Sequence, residues 1–483
     1  MSHVTGSEHR LMTIADAEAM TIEQIWELYR SHVSGSQVGL IGTFGFGRET
    51  VSKAEGCYIH TSSGREVLDL TGGIGVLNHG HNHPRILEAR KKFGELKRME
   101  VHKNFFSPYV ATLSHNISQL LPGDLNYSYF PNSGAEAVEG AIKMAYKYHD
   151  GRRSTVLHSD ISFHGKLLGA ASLTGSPELH FKFPQISGAR QFVYNEISSV
   201  SQLISECRNN NGDSDIYAIV VEPLNASSMR SCSANFLMQL RELCVSEDII
   251  LIFDEVYTGW AKTGELFNFM RVPSLVPDIV TYAKSFGGGK ASISGYTASE
   301  KIFKKAYDNL KDATLHSTTY YGFGEETATA IEALNIIVDD DYVARSQWIG
   351  DLFQAGITPV MNRSTGILDE VRGSGALWGL TVKNTFLQKV IQQIAGFIPS
   401  SFFKDPRFSN KLVVSTIVNR LYDEHNILSF YGSNVDNPLI ISFPLVADQK
   451  EVIRAVEALE ECLDTSLLKL VADFVQTKFS APK

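Results

Sequence analysis

The sequence predicts an α/β protein with two parts: a large domain around a mainly parallel sheet and a smaller α+β domain built from both chain ends. Apolar runs typical of buried strands alternate with amphipathic helical patterns from about residue 84 onward, and this alternation is characteristic of βαβ units. The length of 483 residues is more than one simple core usually serves. We therefore expect an N-terminal segment at 1–83, a large domain at 84–335 and a C-terminal small domain at 336–483.

The N-terminal part of the chain contains a predicted helix followed by predicted strands. Residues 14–31 have the apolar spacing of an amphipathic helix. The segment 38–78 is rich in glycine and β-forming residues, and its stretch CYIHTSSGREVLDL predicts a hairpin that turns at residues 62–64. We expect this part of the chain to contribute to the small domain.

All of the predicted buried strands lie within the large domain. Amphipathic helical patterns separate several of them, as in the run from Val138 to Tyr148. A long helical pattern covers about 324–346, and the segment 392–412 has the composition of an irregular loop or short insertion. The predicted strands are 126–130, 154–158, 216–221, 249–253, 278–282 and 294–298.

The composition is that of an ordinary soluble globular protein, with 43% apolar and 20% charged residues. Acidic residues number 53 and basic residues 44, and the net charge of −9 argues against nucleic acid as a partner. The sequence shows neither a run long enough for a membrane helix nor a secretory signal. Five scattered cysteines without C-x-x-C spacing are typical of reduced thiols. We expect a cytoplasmic protein that does not act at a membrane.

A lysine and an aspartate each follow a predicted strand of the large domain. Lys284 ends the apolar run of DIVTYAKSFGGGK, and Asp254 ends the run IILIF. Ligands in open α/β sheets bind at the carboxyl ends of the strands. A pyridoxal 5′-phosphate site requires such an amine for the Schiff base and such a carboxylate for the pyridine nitrogen. Taken singly, Lys284 is also compatible with a surface lysine, and Asp254 with a helix cap.

A predicted strand-to-helix turn in YFPNSGAEAVEGAIKMAY has two interpretations. In the first interpretation, Ser133 and Glu136 form an S-x-x-E capping box, and the turn does nothing more than stabilise the start of the helix. The same turn presents a hydroxyl and the backbone N–H groups of Gly134 and Ala135 at a helix N-terminus, which is a phosphate-binding arrangement. Both interpretations are compatible with one turn.

Three further side chains at strand ends are candidates for contact with a planar cofactor. Phe163 and His164 follow the strand at 154–158, and Phe163 has either a stacking or a core-packing role. Glu222 follows the strand at 216–221, either over the cofactor or as a structural carboxylate. The alternate histidines of NHGHNHP lack the further ligands of a metal site, and neither a P-loop nor a G-x-S-x-G elbow occurs.

Several blocks of the sequence occur in an order and spacing typical of one enzyme family. These blocks are LDLTGGIGVLNHGHNHP, NSGAEAVEGAIKMA, FHGKLLGAASLTG, DEVYTGWAKTGELF, PDIVTYAKSFGGG and HSTTYYG. In them the chain resembles the class III (ω-type) aminotransferases of the fold-type I pyridoxal phosphate enzymes, from about residue 50 to the C-terminal region. The NSGAEAVEGA and FHGK blocks look most like the diamine, putrescine-type branch. The resemblance implies ping-pong transfer of an amino group from an amine or amino acid to an aldehyde or ketone.

The resemblance also assigns roles to the candidate residues. Lys284 would carry the cofactor, Asp254 would pair with its ring nitrogen, and Phe163 and Val256 would enclose the ring. The residues expected to bind the cofactor are Ser133, Gly134, Ala135, Phe163, His164, Glu222, Asp254, Val256, Lys284 and Thr319. The resemblance implies a homodimer with shared active sites, in which Thr319 reaches the phosphate of the neighbouring subunit and the N-terminal segment makes dimer contacts.

Departures from the family pattern bear on substrate choice. Tyr257 stands where many members have Gln, and Trp260 and Lys262 alter the common G-[FM]-G-R-T-G stretch. Ile441 and Ser442 stand where relatives that act on α-amino acids have an arginine able to clamp a carboxylate. We therefore expect one substrate without an α-carboxylate, in a pocket lined by Tyr257 and Trp260.

Two other classes of protein are compatible with the same residues. An aminomutase, decarboxylase or racemase on this scaffold would keep Lys284 and Asp254. Conversion of the bound cofactor by an amine donor alone distinguishes transamination from these reactions. A catalytically inactive dimeric scaffold protein is the second class, and the intact lysine, aspartate and Ser133 turn argue against it.

Overall fold

The computed structural model describes residues 11–43, 45–175, 182–364, 367–383, 406–432 and 436–464. The strands are β1 (Val51–Glu55), β2 (Tyr58–Thr61), β3 (Glu66–Asp69), β4 (Leu125–Tyr129), β5 (Thr155–Ser159), β6 (Ala189–Phe192), β7 (Ile216–Val221), β8 (Leu224–Asn225), β9 (Arg230–Ser231), β10 (Ile250–Asp254), β11 (Ile279–Tyr282), β12 (Gly295–Ser299), β13 (Leu368–Ser374), β14 (Leu377–Val382), β15 (Ile427–Leu428), β16 (Phe430–Tyr431) and β17 (Leu439–Ser442).

The helices are short at the start of the chain and longer within and after the large sheet. The α-helices are Ile14–Glu18, Ile22–Leu28, Gly35–Thr43, Gly72–Gly75, Pro84–Glu95, Pro108–Leu120, Gly134–Tyr148, Leu168–Ser172, Ile197–Glu206, Ala234–Ser246, Glu300–Ala306, Gly324–Asp339, Tyr342–Arg363, Pro406–His425 and Gln449–Leu463. A π-helix covers Tyr29–Ser34, and 3₁₀-helices cover Asn268–Arg271 and Lys284–Gly287. Among the described residues, no helix is both long enough and apolar enough to cross a membrane.

The central sheet has the strand order β4-β12-β11-β10-β7-β5-β6. Strands β11, β10, β7, β5 and β6 are parallel to one another, whereas β12 runs antiparallel to both of its neighbours. Successive residues of β10 pack into separate apolar clusters, with Ile250 and Ile252 in one and Leu251 and Phe253 in the other. The sheet is therefore buried on both faces, and the predicted mainly parallel α/β fold is confirmed.

The two ends of the chain meet in the smaller α+β part. Strand β15 pairs in parallel with β3, so that Ile427 lies opposite Leu68. The β2–β3 hairpin is antiparallel, as predicted. A second sheet has the order β13-β14-β17-β16. The fold thus joins segments from both termini, while the domain limits at 83 and 335 remain a prediction.

Several sequence-based expectations differ from the structure. The predicted helix at 14–31 is interrupted before Ile22, because the side chain of Thr21 caps a new helix there. The predicted helix at 324–346 is two helices, since Asp341 has a φ of 44° and caps the second one. In the predicted loop at 392–412, residues from 406 onward are helical, and residues 392–405 lie outside the described residues. The strand β6 was not predicted.

Candidate active site

The carboxyl ends of the parallel strands open onto a cavity of about 650 Å³. Asp254 is the last residue of β10, Glu222 follows β7 directly, and Lys284 comes two positions after β11. Parallel strands end at the same edge of the sheet, so residues far apart in the sequence face one space. The predicted residues that line the cavity are Ser133, Gly134, Ala135, Phe163, His164, Glu222, Asp254, Val256, Tyr257 and Lys284.

Lys284 begins the 3₁₀-helix that follows β11. Its backbone has a φ of 52°, a strained conformation for a residue with a side chain, and such strain concentrates at functional sites. The Nζ atom donates a hydrogen bond to the carbonyl oxygen of Ile74 at 2.9 Å and lies 4.1 Å from the ring centroid of Tyr257. Burial lowers the pKa of Lys284 to about 8, although the charges of Asp254 and Glu222 act in the opposite direction. Lys284 is therefore easier to deprotonate near neutral pH than an ordinary lysine.

Asp254 is buried and hydrogen bonded through both oxygens. Its Oδ1 accepts the backbone N–H of Val256 at 2.9 Å, and its Oδ2 lies 2.7 Å from Nδ1 of His164. Burial disfavours the imidazolium form of His164, but the hydrogen bond and charge of Asp254 outweigh it and raise the pKa of His164. The two hydrogen bonds fix the orientation of the Asp254 carboxylate in the wall of the cavity.

Glu222 is held by a set of donors. Its Oε1 accepts the backbone N–H of Phe163 at 2.7 Å, and Nδ2 of Asn225 contacts both carboxylate oxygens at 3.0 and 2.9 Å. The backbone N–H of Ala226 adds a further bond at 3.3 Å. Burial raises the pKa of Glu222 to about 7, partly offset by the charge of His164. The side chain is thus immobilised beside the cavity by donors on two segments of the chain.

At the Ser133 turn the serine cap is present, but the reciprocal bond of a capping box is not, because the Glu136 carboxylate accepts the backbone N–H of Asn132 at 3.1 Å. Ser133 caps the helix Gly134–Tyr148 by accepting the N–H of Glu136, and its hydroxyl donates to the carboxylate of Glu136 at 2.9 Å. The backbone N–H groups of Gly134 and Ala135 have no hydrogen-bond partner within the described ranges of the chain. A Cβ atom on Gly134 would come within 2.8 Å of Val256, so glycine is required for this close approach. Free N–H groups at a helix start form a cradle for an anion.

Two predicted residues lie away from this cavity. Trp260 does not line it: the side chain is fully buried and stacks on Phe286 with ring centroids 4.9 Å apart. The expected pocket role of Trp260 is therefore corrected to a core role, because its ring also packs against Phe267 and Tyr282. Thr319 is exposed and also lies outside the cavity lining.

Sequence reasoning missed several residues that contribute to the site. Asn225, three positions after Glu222, binds the glutamate, and this short spacing after a strand was the available signal. No local signal distinguishes the others, since they come from a turn, a loop and a distant strand of the small part. These cavity-lining residues are Ile74, Leu224, Ile293, Phe430 and Tyr431.

The histidines of the NHGHNHP segment have structural contacts. His81 Nε2 lies 2.8 Å from Asp69 Oδ2, and His79 Nε2 lies 3.0 Å from the carbonyl oxygen of Ala333. Asp69 also accepts the backbone N–H and the hydroxyl of Thr71. These bonds connect the segment to β3 and to the helix Gly324–Asp339.

A family model that matches most of the chain identifies the sequence family of the protein. The family model for class III aminotransferases matches residues 47–415. This chain belongs to the class III aminotransferase family. It is a pyridoxal 5′-phosphate-dependent aminotransferase with the fold-type I architecture. The family match does not favour the alternative of an aminomutase, decarboxylase or racemase.

Solved structures of other aminotransferases have the same fold as this aminotransferase. A transaminase from the marine bacterium Virgibacillus has a TM-score of 0.78 and 22% identity, and the match covers 93% of this chain and 99% of that one. The ornithine aminotransferase from Toxoplasma gondii ME49 has a TM-score of 0.76 and 21% identity, with coverage of 94% and 98%. At these identities the similarity shows a shared fold.

The residues of this aminotransferase fit pyridoxal phosphate. The free N–H groups of Gly134 and Ala135 suit the phosphate, and the buried Asp254 carboxylate suits a protonated ring nitrogen. The amine of Lys284 faces the same cavity. The groups suited to the phosphate, the ring nitrogen and the Schiff base therefore line one cavity.

Proposed function

We propose that this aminotransferase transfers an amino group by a ping-pong mechanism in which at least one substrate, amine donor or oxo acceptor, lacks an α-carboxylate. The observation that carries the proposal is the cavity lining. Among the described residues that line it, Lys284 is the only lysine, no arginine is present, and His164 is already paired with Asp254. Ile441 and Ser442 are buried at the positions where an arginine would clamp a carboxylate. A substrate carboxylate would therefore meet no unpaired cationic partner except Lys284.

The shape of the cavity supports the same proposal. Its lining is mostly apolar, and the carboxylates of Glu222 and Asp254 contribute negative charge on the strand-end side. An apolar wall binds an alkyl or aromatic substituent by excluding water, while the two carboxylates disfavour another anion nearby. The apolar lining residues include Ile74, Val76, Leu224, Ala226, Ile293 and Phe430.

The roles that we propose for the site residues follow from the geometry. Pyridoxal phosphate, when bound, would supply a reactive carbonyl carbon and a ring that accepts electrons. Lys284 would hold the cofactor through its amine and, as a free amine, would act as the base for the proton on the substrate Cα. Asp254, oriented by His164, would accept the ring N–H, and Phe163 and Val256 would enclose the ring. Glu222 would limit the space beside the ring.

We also propose that the protein is a homodimer with shared active sites. Two segments, 99–106 and 315–320, carry apolar side chains that are exposed in the single chain. Lys103 of the first segment donates a hydrogen bond to the carbonyl oxygen of Thr318 in the second at 2.5 Å. Thr319 belongs to the second segment, so its hydroxyl would be presented to a second subunit on this surface. The exposed apolar residues include Met99, Phe105, Phe106, Leu315 and Tyr320.

A cytoplasmic location is part of the proposal. All five cysteines are buried, and none of them forms a disulfide. Burial raises the pKa of the thiols of Cys57 and Cys232 to about 12, which keeps them protonated and unreactive. Buried reduced thiols suit the reducing conditions of the cytoplasm.

A matched panel of substrates tests the proposed reaction. Donor pairs that differ only in the α-carboxylate, phenethylamine against phenylalanine and pentylamine against norleucine, are each combined with an aldehyde and with an α-keto acid. We expect the carboxylate-free member of at least one donor or acceptor pair to have a kcat/KM at least about tenfold higher, because nothing pairs with the extra carboxylate. Turnover confined to combinations in which both substrates carry an α-carboxylate would overturn the proposal.

The Lys284→Ala variant is the control for the same panel. Borohydride reduction of the wild-type holoenzyme should leave the cofactor on the peptide that contains Lys284, as read by mass spectrometry, whereas the variant should retain none. If the cofactor were found on another lysine, or if the variant turned over at the wild-type rate, the assignment of Lys284 would be wrong.

A further inference from the structure

The aromatic ring of Tyr257 contacts the amine of Lys284 through its face. The Nζ atom of Lys284 lies 4.1 Å from the centroid of the Tyr257 ring, within the distance at which a cation interacts favourably with the face of an aromatic ring. No polar atom of the tyrosine takes part in this contact. The phenol hydroxyl is buried and has no hydrogen-bond partner within the described part of the chain.

The ring of Tyr257 is held in place by its neighbours. Gly75 has a φ of 86°, and a Cβ atom on it would come within 2.9 to 3.1 Å of three ring atoms of Tyr257. Burial raises the pKa of the Tyr257 hydroxyl, and the hydroxyl of Ser442 in β17 is close enough to offset part of that effect. The ring thus lies between β17 and the glycine-rich turn formed by Gly72–Gly75, with its face toward Lys284.

The ammonium group of Lys284 has few other partners. Its hydrogen bond goes to the carbonyl oxygen of Ile74. The charged groups that face it are Asp254 and Glu222, and both are engaged elsewhere: Asp254 binds His164, and Glu222 is bound by neighbouring donors. They therefore act on Lys284 through space and not through direct contact. Lys284 is partly buried, and an ammonium group there without a direct carboxylate partner gains stability from a further group that interacts with its charge.

We propose that Tyr257 is a positioning residue whose ring face binds the protonated form of Lys284 and holds the amine at the mouth of the glycine-rich turn. The face of the ring stabilises Lys284 while the amine is protonated. The neutral amine is not held by this interaction and is free to move away from the ring. This inference rests on the proposed role of Lys284. It also explains the combination of a glycine at position 75 with an aromatic side chain at position 257.

A graded series at position 257 tests the ring without changing its shape. Phenylalanine analogues with one, two or three ring fluorines weaken the negative face of the ring stepwise. In the full-length protein freed of cofactor, the pKa of Lys284 is measured from the pH dependence of amine acetylation, read on its peptide by mass spectrometry. We expect the pKa of Lys284 to fall with each fluorine, by about one unit over the series, and Tyr257→Phe to match the wild type.

Two further variants complete the test. Tyr257→Leu should lower the pKa of Lys284 as far as the most fluorinated ring, whereas Phe430→Leu, which removes a different aromatic ring from the cavity, should leave it unchanged. A pKa that stays constant across the fluorinated series would overturn the inference, even if the Leu variant failed to fold. Failure of the function itself would appear separately, as cofactor that borohydride fixes to a lysine other than Lys284.

Discussion

Lys262 and Lys284 both have a lowered pKa, yet their surroundings differ. Lys262 is fully buried and donates a hydrogen bond to the carbonyl oxygen of Phe443 at 2.8 Å. Burial lowers its pKa to about 7, against the opposing charge of Asp69. Lys284 is only partly buried and lines the cavity. Access to the cavity therefore distinguishes Lys284, the proposed catalytic lysine, from Lys262.

The buried charge of Lys262 predicts a specific dependence of stability on pH. Its folded-state pKa of about 7 lies below the ordinary value of 10.5. Between these values the unfolded chain binds a proton that the folded chain does not, so stability rises with pH across this window and is lowest below pH 7. We expect Lys262→Met to raise the free energy of unfolding by about 1–3 kcal/mol at pH 7, with a smaller gain at pH 10. Urea unfolding at several pH values measures this difference.

An exposed lysine provides the control for that experiment. Lys91 lies on the surface of the helix Pro84–Glu95 with a side chain that is 65% exposed. Lys91→Met should change stability by no more than about 0.5 kcal/mol, without a trend between pH 7 and pH 10. If Lys262→Met and Lys91→Met showed the same pH profile, the charge of Lys262 would not be destabilising.

The helix Gly134–Tyr148 combines structural and functional demands at its first turn. Its capping serine satisfies the N–H of Glu136, while the N–H groups of Gly134 and Ala135 stay available. Gly134 also allows Val256 to approach. Of the capping box predicted from the sequence, only the serine cap is formed, because the Glu136 carboxylate accepts the N–H of Asn132 instead of that of Ser133. The capping side chain and the N–H groups proposed to bind the phosphate therefore belong to one turn.

A methyl group at position 134 should disturb the cradle. Gly134→Ala places a Cβ atom 2.8 Å from Val256, so either the turn or the valine must move. We expect a loss of about 1–3 kcal/mol in cofactor binding, which corresponds to a dissociation constant about 5- to 160-fold higher. Equilibrium dialysis with pyridoxal phosphate measures the constant. Unchanged binding would show that the turn does not contact the cofactor.

The matched control is another glycine-to-alanine change in a helix. Gly94 lies in Pro84–Glu95, and a Cβ atom on it would have no atom within 4 Å. Gly94→Ala should stabilise its helix by about 0.5–1 kcal/mol and leave cofactor binding unchanged. A loss of binding in this variant would indicate a general effect of helix substitutions.

Contacts between the two chain ends organise the whole molecule. The β3–β15 pairing is reinforced by Tyr58, whose hydroxyl donates to Glu451 at 2.8 Å, and by Arg65, whose Nε donates to Asn426 at 2.9 Å. These bonds join residues more than 350 positions apart. The glycine-rich turn that touches Lys284 follows directly on β3. The docking of the two ends therefore also determines where that turn lies relative to the active site.

The proposed dimer predicts the effect of a charge on its surface. Phe106 is fully exposed in the single chain, in the segment next to Thr319. We expect Phe106→Glu to weaken the dimer by at least about tenfold in dissociation constant and to reduce cofactor retention, because desolvating a carboxylate at an interface is costly. Sedimentation velocity together with absorbance of bound cofactor measures both effects.

A second exposed apolar residue distinguishes a specific interface from general stickiness. Val245 is 64% exposed near the end of the helix Ala234–Ser246. Val245→Glu should leave the oligomeric state and the cofactor content as in the wild type. A monomeric wild-type protein with full cofactor occupancy would contradict the shared-site dimer.

Local patterns in the sequence are sufficient to predict much of this enzyme. Each of the six predicted strands is present, and the polar residues that follow them, Asp254, Glu222 and Lys284, line one cavity. A buried parallel strand appears as a run of apolar residues, and its carboxyl end is where the first polar residue stands. Such information is local. The helix break at Asp341 escaped prediction because the apolar spacing continues across it.

The remaining features arise only when distant segments pack together. Tyr257 and Trp260 belong to one block, but Tyr257 faces Lys284 whereas Trp260 joins Phe286 in the core. Phe430 and Tyr431 reach the cavity because β16 pairs with β17 at the edge of the small sheet. Whether a side chain points into the cavity or into the core depends on the segments that pack against it. The neighbours of a residue in the sequence do not specify those segments. The catalytic lysine follows from its strand, whereas the walls of its pocket follow from tertiary packing.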